Sequence, residues 1–261
     1  MNTVIVIPSR YESTRFPGKP FALVKGKAML QRVWEIAKSV KGVIEVYIAT
    51  DDKRIEKFAL KMGAKAVMTS PECKNGTERV YRAIEALNPK PDAILNFQGD
   101  ALLTPPWVLQ AMVDVLNNDK ACQMITPAVK LAKAQYLSLE ESKKTNPASG
   151  TTVTFDHNFN AMYFSKRLIP FIRKTEGEDA LPVYRHIGMY GYRREALEKY
   201  LTFKQGQFEA AEKLEQLRAL ENGMPIRVVL VDYKGRTHAS VDAPEDVTIA
   251  EKIIEKEGEL L

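Results

Sequence analysis

What most constrains the fold is an alternation, carried through the first hundred residues, of short apolar runs with stretches whose apolar residues recur every three or four positions. Val4, Ile5, Val6 and Ile7 form a continuous run of the kind buried on both faces of a parallel sheet. Met29, Leu30, Val33, Trp34, Ile36, Ala37 and Val40 follow at helical spacing, and residues 43–49 read as a second strand. Thr50, Asp51 and Asp52 close that strand and can cap a helix carrying Ile55, Phe58, Ala59 and Met62 toward a core. Residues 64–68 give a third strand. Asn75, Gly76, Thr77, Glu78 and Arg79 then open a helix with Val80, Ala83, Ile84 and Leu87 on one face, and residues 93–97 make a central strand. Repeated units of this kind predict an α/β fold with a mostly parallel sheet, helices on both faces, and a ligand site at the carboxyl ends of the strands.

The second half changes character. Residues 121–129 read as a strand, whereas residues 131–145 are more polar and predict less regular structure. Residues 151–155 and 161–165 bracket Asp156, His157 and Asn158 as a hairpin. Within a single domain spanning residues 1–261, residues 130–190 therefore read as an antiparallel insertion forming a lid or subunit contact, with a polar, mobile loop at residues 175–181. Residues 185–193 return as an alternating aromatic strand. Residues 209–222 predict a helix with Ala210, Leu214, Leu217 and Leu220 inward, and residues 226–231 and 247–254 a last strand and closing helix.

Chemistry enters where the strands end. After Pro8 a short loop carries Arg10, Arg15 and Lys19, with Gly18 supplying backbone freedom and Pro17 and Pro20 stiffness. Two arginine forks and one compact ammonium suit a polyphosphate, the favoured reading from spacing, with a solvated basic loop as the alternative. Gln98, Gly99 and Asp100 emerge from the central strand, where Asp100 can ligate a hard cation or simply cap the helix after Pro106. Asp242 again follows a short predicted strand, residues 239–241, just before a helix opening at Pro244. Two aspartates from distant segments can hold one divalent metal between them. For His186, substrate contact and a histidine satisfied within a sheet are both open.

Composition excludes more than it selects. The chain has 38 basic and 33 acidic residues, a formal charge of +5, but the basic residues are spread along it. No aromatic-basic repeat marks a nucleic-acid module, and an anionic small molecule accounts for the excess. Cys73 and Cys122 make neither a metal cluster nor a disulfide framework. No cleavable signal pattern opens the sequence and no apolar run approaches a membrane span, so the expectation is a cytoplasmic protein without stable membrane insertion.

Taken together, the residues resemble the cytidylyltransferases that activate 3-deoxy-manno-octulosonate, the CMP-Kdo synthetases. The resemblance is carried by residues 7–19, 49–52, 76–79, 98–100, 186–193, 214–218 and 241–246, in family order. It implies a Rossmann-like nucleotidyltransferase fold, a homodimer, Mg2+, CTP as donor, an acidic 2-keto-3-deoxy sugar as acceptor and pyrophosphate as leaving group. It implies Arg10, Arg15, Lys19, Asp100 and Asp242 as catalytic residues, with Asp100 and Asp242 holding the metal. The nucleotide would be bound by Arg10, Ser13, Arg15, Lys19, Thr77, Glu78, Arg79 and Gln98. His186, Tyr190, Glu215 and Gln216 would bind the sugar.

Three departures from the family pattern bear on the acceptor. Ala101 and Leu102 follow Asp100 where the family usually has glutamate and proline. Residues 148–152 lack the family's valine-lysine-valine strand, and Lys166 stands where arginine is common. These changes leave a related acceptor, such as 8-amino-3,8-dideoxy-manno-octulosonate, as the alternative. Other classes are a catalytically silent nucleotide-sugar-binding homologue, a nucleotidyltransferase for another sugar, and an RNA-associated protein whose binding would show strong salt dependence.

Overall fold

The computed structural model describes residues 1–12, 15–174 and 180–261. Ser13, expected to contact nucleotide, and most of the loop expected at residues 175–181 lie outside the described residues. From the amino terminus the chain forms β1 (Thr3–Pro8), a 3-10 turn (Lys19–Phe21), β2 (Leu23–Val24), β3 (Lys27–Ala28), α1 (Met29–Lys38), β4 (Glu45–Thr50) and α2 (Lys53–Lys61). It continues with β5 (Lys65–Met68), α3 (Gly76–Glu85), β6 (Ala93–Asn96), α4 (Pro106–Asn118), β7 (Met124–Ala132), α5 (Lys133–Thr145), β8 (Thr151–Phe155) and β9 (Ala161–Ser165). The remainder is β10 (Ala180–His186), β11 (Tyr190–Arg193), α6 (Arg194–Thr202), α7 (Gln207–Glu212), α8 (Gln216–Glu221), β12 (Ile226–Leu230) and α9 (Pro244–Glu257). No helix among the described residues is long and apolar enough to cross a membrane.

Two compact units result. The first comprises Met1–Asn118, Gly191–Arg194 and Tyr233–Leu261. Its strands run β5-β4-β1-β6, all parallel, with Ile5 paired to Val46 on one side and Leu95 on the other. Val4, Ile5, Val6 and Ile7 are essentially without solvent contact, as are Ile48, Ile94 and Leu95. Each such aliphatic side chain contributes about 1.5–3 kcal/mol on burial, which is why a sheet covered on both faces reads as unbroken apolar runs. Helices α1 and α4 touch each other and β1, while α3 packs across β1, β4 and β6 on the opposite face. Asp52 caps α2 by accepting from the Arg54 N–H, and Asn75 caps α3 by accepting from the Glu78 N–H.

The second unit comprises Asp119–Tyr190 and Glu195–Asp232. In it β7 pairs with β12 in parallel and with β10 antiparallel, and β10, β8 and β9 continue antiparallel, so the parallel and antiparallel parts fall as the sequence predicts. Residues 131–145 depart from expectation. They form the regular helix α5, whose Tyr136 and Leu139 pack on Leu131, Leu181 and Val183. Only two of its residues are buried, too few to leave a periodic trace in the sequence. The single helix expected over residues 209–222 is two short ones, broken where Lys213 takes a left-handed conformation with φ 54°. In the first unit, residues 239–241 form no strand; the segment before α9 is irregular.

Candidate active site

The first unit gathers its polar side chains where β1, β4 and β6 end. The Ser9 N–H donates to the Ala49 carbonyl at 2.8 Å, closing the end of β1 against β4. Gly18, with φ 73°, then turns the chain back so that its N–H donates to the Tyr11 carbonyl at 2.9 Å. Tyr11 is fixed from outside by the Arg54 guanidinium, 3.4 Å above its ring centre, and Arg54 is itself held by Asp52. The same contact keeps the Asp52 carboxyl below its usual range. The loop therefore presents Arg10, Arg15 and Lys19 from a braced frame.

The second wall comes from β6. Asn96 is fully buried, accepts a hydrogen bond from Gln98 Nε2 at 3.0 Å and donates from Nδ2 to Thr77 Oγ1 at 3.4 Å. A buried amide needs such partners, and here they orient Gln98. A Cβ on Gly99 would stand 3.1 Å from the Pro8 carbonyl oxygen, and one on Gly76 would stand 3.3 Å from the Pro8 ring. Both glycines thus permit close approach to the end of β1. Arg79, 1% exposed, donates from Nη2 to Asp51 Oδ2 at 2.7 Å and from Nη1 to Thr69 Oγ1 at 2.8 Å.

These walls enclose a cavity of about 350 Å³. Arg10, Arg15, Lys19, Asp100 and Asp242 all line it, together with Gln98 and Arg79. Thr77 and Glu78 do not. Thr77 is buried behind the wall, and Glu78 turns back to accept from the Lys74 N–H at 3.0 Å. The two aspartates converge on one ammonium: Lys19 Nζ lies 3.0 Å from Asp100 Oδ2 and 3.7 Å from Asp242 Oδ1, while Arg15 Nη2 lies 3.1 Å from Asp242 Oδ1. The Val241 N–H donates to the Asp100 carbonyl at 3.3 Å, tying the two segments together. Among the described residues no three His, Cys, Asp or Glu side chains cluster as a complete metal cage. Two carboxylates sharing one cation, beside room for phosphate, are nevertheless the hard oxygen donors that Mg2+ accepts when substrate and water complete its shell. One cavity thus brings together three cations of the kind that suit phosphate and two carboxylates of the kind that suit a hard metal ion, a set that fits phosphoryl-group chemistry.

The four residues implied for the sugar all lie in the second unit. His186 Nε2 is 2.8 Å from Thr126 Oγ1, and Thr126 Oγ1 donates to the Met189 carbonyl at 2.8 Å. A hydroxyl has one proton, so this assignment makes His186 the donor and places its proton on Nε2. Phe164 meets the imidazole edge-on with ring centres 5.0 Å apart. Tyr190 O–H donates to Gln216 Oε1 at 2.8 Å, and burial pushes the Tyr190 phenol well up. Gln216 is 1% exposed, and its Nε2 has no hydrogen-bond partner among the described residues, an arrangement that costs stability unless a ligand completes it. Glu215 sits at the start of α8, where its carbonyl accepts from Tyr200 O–H at 3.0 Å.

Sequence reasoning missed Asn96, Asp51, Thr69 and Thr126, which touch the implied ligand residues from behind. Asn96 had a signal, an amide between Leu95 and Phe97 in an otherwise apolar strand. Asp51 read as a possible cap, and nothing in the sequence marks Thr69 or Thr126.

A parallel sheet with a cationic loop after its first strand and paired carboxylates over one cavity is the architecture of a nucleotidyltransferase. A model of the cytidylyltransferase family matches residues 4–226. The 3-deoxy-manno-octulosonate cytidylyltransferase of Maricaulis maris is 51% identical over 261 residues, covering 100% of both chains. The 8-amino-3,8-dideoxy-manno-octulosonate cytidylyltransferase of Shewanella pealeana is 40% identical over 253 residues, covering 96% of this chain and 98% of that one. A solved CMP:2-keto-3-deoxy-manno-octonic acid synthetase complexed with CTP superposes with a TM-score of 0.86 at 33% identity, over 98% of this chain and 100% of that one. The chain belongs to the cytidylyltransferase family, in its CMP-Kdo synthetase branch, and is a CTP-dependent enzyme.

Proposed function

We propose that the chain transfers CMP from CTP to the anomeric hydroxyl of 3-deoxy-D-manno-octulosonate, giving CMP-Kdo and pyrophosphate. The observation that carries this reading is the convergence of Arg10, Arg15, Lys19, Asp100 and Asp242 on one cavity. The hydroxyl oxygen attacks the α-phosphorus in line with the departing pyrophosphate, so one P–O bond forms as the α–β bridge breaks, and the hydroxyl proton is released to solvent. Arg10, Arg15 and Lys19 bind the triphosphate and offset the charge that develops on the leaving group. Asp100 and Asp242 would hold Mg2+, which supplies charge neutralisation and a lowered pKa for the attacking hydroxyl. In taking up the phosphates, Lys19 and Arg15 exchange their carboxylate partners for phosphate oxygens, leaving both aspartates to the metal. Arg79 and Gln98 position the nucleoside, and His186, Tyr190, Glu215 and Gln216 hold the sugar acid, with Gln216 Nε2 ready to donate to it.

The same transfer to the 8-amino sugar is the second reading, favoured by the relative from Shewanella pealeana. The higher identity to the Maricaulis maris relative makes Kdo the first choice. A cytoplasmic homodimer is part of the proposal, and light scattering on the purified protein tests its oligomeric state. The activity is tested by pyrophosphate release from CTP and Mg2+ with Kdo, 8-amino-Kdo, N-acetylneuraminate and a sugar phosphate. Release with Kdo is expected. Release with the amino sugar alone assigns specificity to the changes at Ala101, at residues 148–152 and at Lys166, and silence with every acceptor contradicts the proposal.

A further inference from the structure

Asp242 stands on an irregular segment, residues 237–243, where no strand ladder fixes the backbone. A carboxylate useful to a metal has to be held within about 0.5 Å of its working position. The helix that follows gives little help of the ordinary kind. The residue at the start of α9 is Ala243, which has no side-chain acceptor, and the first helical residue, Pro244, has no N–H. Beyond the Val241 N–H bond to the Asp100 carbonyl, the fastening comes from Asp246, one turn in. Its Oδ2 accepts from the Ala243 N–H at 2.9 Å and from the Asp242 N–H at 2.8 Å. An acidic residue at this helix position ordinarily reaches back to one N–H. Here the same oxygen reaches one residue further, to the backbone of the residue that carries the cavity carboxylate.

We propose that Asp246 is a positioning residue for Asp242, clamping two successive amides so that the Asp242 carboxylate faces Asp100 across the cavity. The proposal rests on the reading of Asp242 as a magnesium ligand. Asp246 itself does not line the cavity, and the oxygen engaged by both N–H groups is committed to the backbone. Partners that orient metal ligands are typically worth tenfold to a hundredfold in metal affinity.

The experiment measures CTP binding by calorimetry as a function of Mg2+, without acceptor, for the full-length protein and its Asp246→Ala, Asp246→Asn and Asp242→Ala variants. Hydrogen exchange at the 242 and 243 amides is followed alongside. Asp246→Ala is expected to raise the Mg2+ concentration for half-maximal CTP binding by about tenfold or more, leave metal-free CTP binding unchanged, and deprotect both amides. Asp246→Asn keeps an oxygen acceptor and stays close to wild type. Should Asp246→Ala fail to fold, Asp246→Ser, too short to span both N–H groups, takes its place. An unchanged Mg2+ dependence in the alanine variant overturns the proposal, as does an asparagine variant that falls equally far, since charge rather than geometry would then be responsible. If Asp242→Ala keeps the wild-type Mg2+ dependence, the metal reading fails and the proposal with it, an outcome distinct from failure of the clamp alone.

Discussion

Replacing Asp51 by alanine removes the carboxylate that pairs with Arg79, whose side chain is 2% exposed against 19% for Asp51. The guanidinium would remain buried with Thr69 as its surviving hydrogen-bond partner. At a charge separation of about 4 Å and an effective dielectric of about 20, the lost attraction is about 4 kcal/mol. Breaking a buried pair from one side costs about 3–5 kcal/mol, and the partial exposure of Asp51 lets water reach the orphaned charge, so about 3 kcal/mol is expected. For a chain of this size that lowers Tm by roughly 6–12 °C, at about 2–4 °C per kcal/mol. Thermal unfolding of Asp51→Ala, of Arg79→Met and of the Asp51→Leu/Arg79→Met double variant reads it directly. The double variant should recover most of the loss, because no charge is then left unpaired. A double variant whose loss equals the sum of the two single losses would refute the reasoning. Since Arg79 lines the cavity, Asp51→Ala should also weaken CTP binding in calorimetry.

Three further outcomes are expected. A Cβ at position 206 would overlap the Glu221 carboxylate, and Glu221 accepts from the Phe208 and Glu209 N–H groups that begin α7; Gly206→Ala should therefore destabilise by about 1–3 kcal/mol in denaturant unfolding. Tyr190→Phe leaves Gln216 Oε1 without its donor, so KM for the sugar should rise about tenfold while CTP affinity holds. Arg32 holds the Glu259 carboxyl below its ordinary range. The folded state then binds fewer protons than the unfolded one, and this contribution is present above about pH 4.3 and lost as pH falls through the lower folded value. Glu259→Gln should accordingly show a shallower acid decline in Tm than the wild type.

The parallel half of the fold was legible because buried strands and amphipathic helices leave different periods, as Val4 to Ile7 and Met29 to Val40 do. Helix α5 was not, because its two buried residues are outnumbered by polar ones. The break at Lys213 was hidden because a lysine in the left-handed region has no sequence mark. At the site, the cationic loop and Asp100 could be found by their places at strand ends, and Asp242 by its place just before a predicted helix, although the strand expected ahead of it does not form. Thr77 and Glu78 were grouped with them through the family resemblance of residues 76–79, and helical geometry turns one inward and the other back along the chain. The residues that hold the site from behind, Asp51, Asn96 and Asp246, act through contacts spanning up to 28 positions, or through a backbone that composition does not reveal.

The most direct test of the account is magnesium-dependent pyrophosphate release with CTP and Kdo, compared between the wild type and its Asp100→Ala and Asp242→Ala variants. The account predicts release by the wild type that requires the metal, and a fall of about a hundredfold or more in each variant as a carboxylate leaves the cavity. Unchanged metal-dependent turnover in either variant would contradict it.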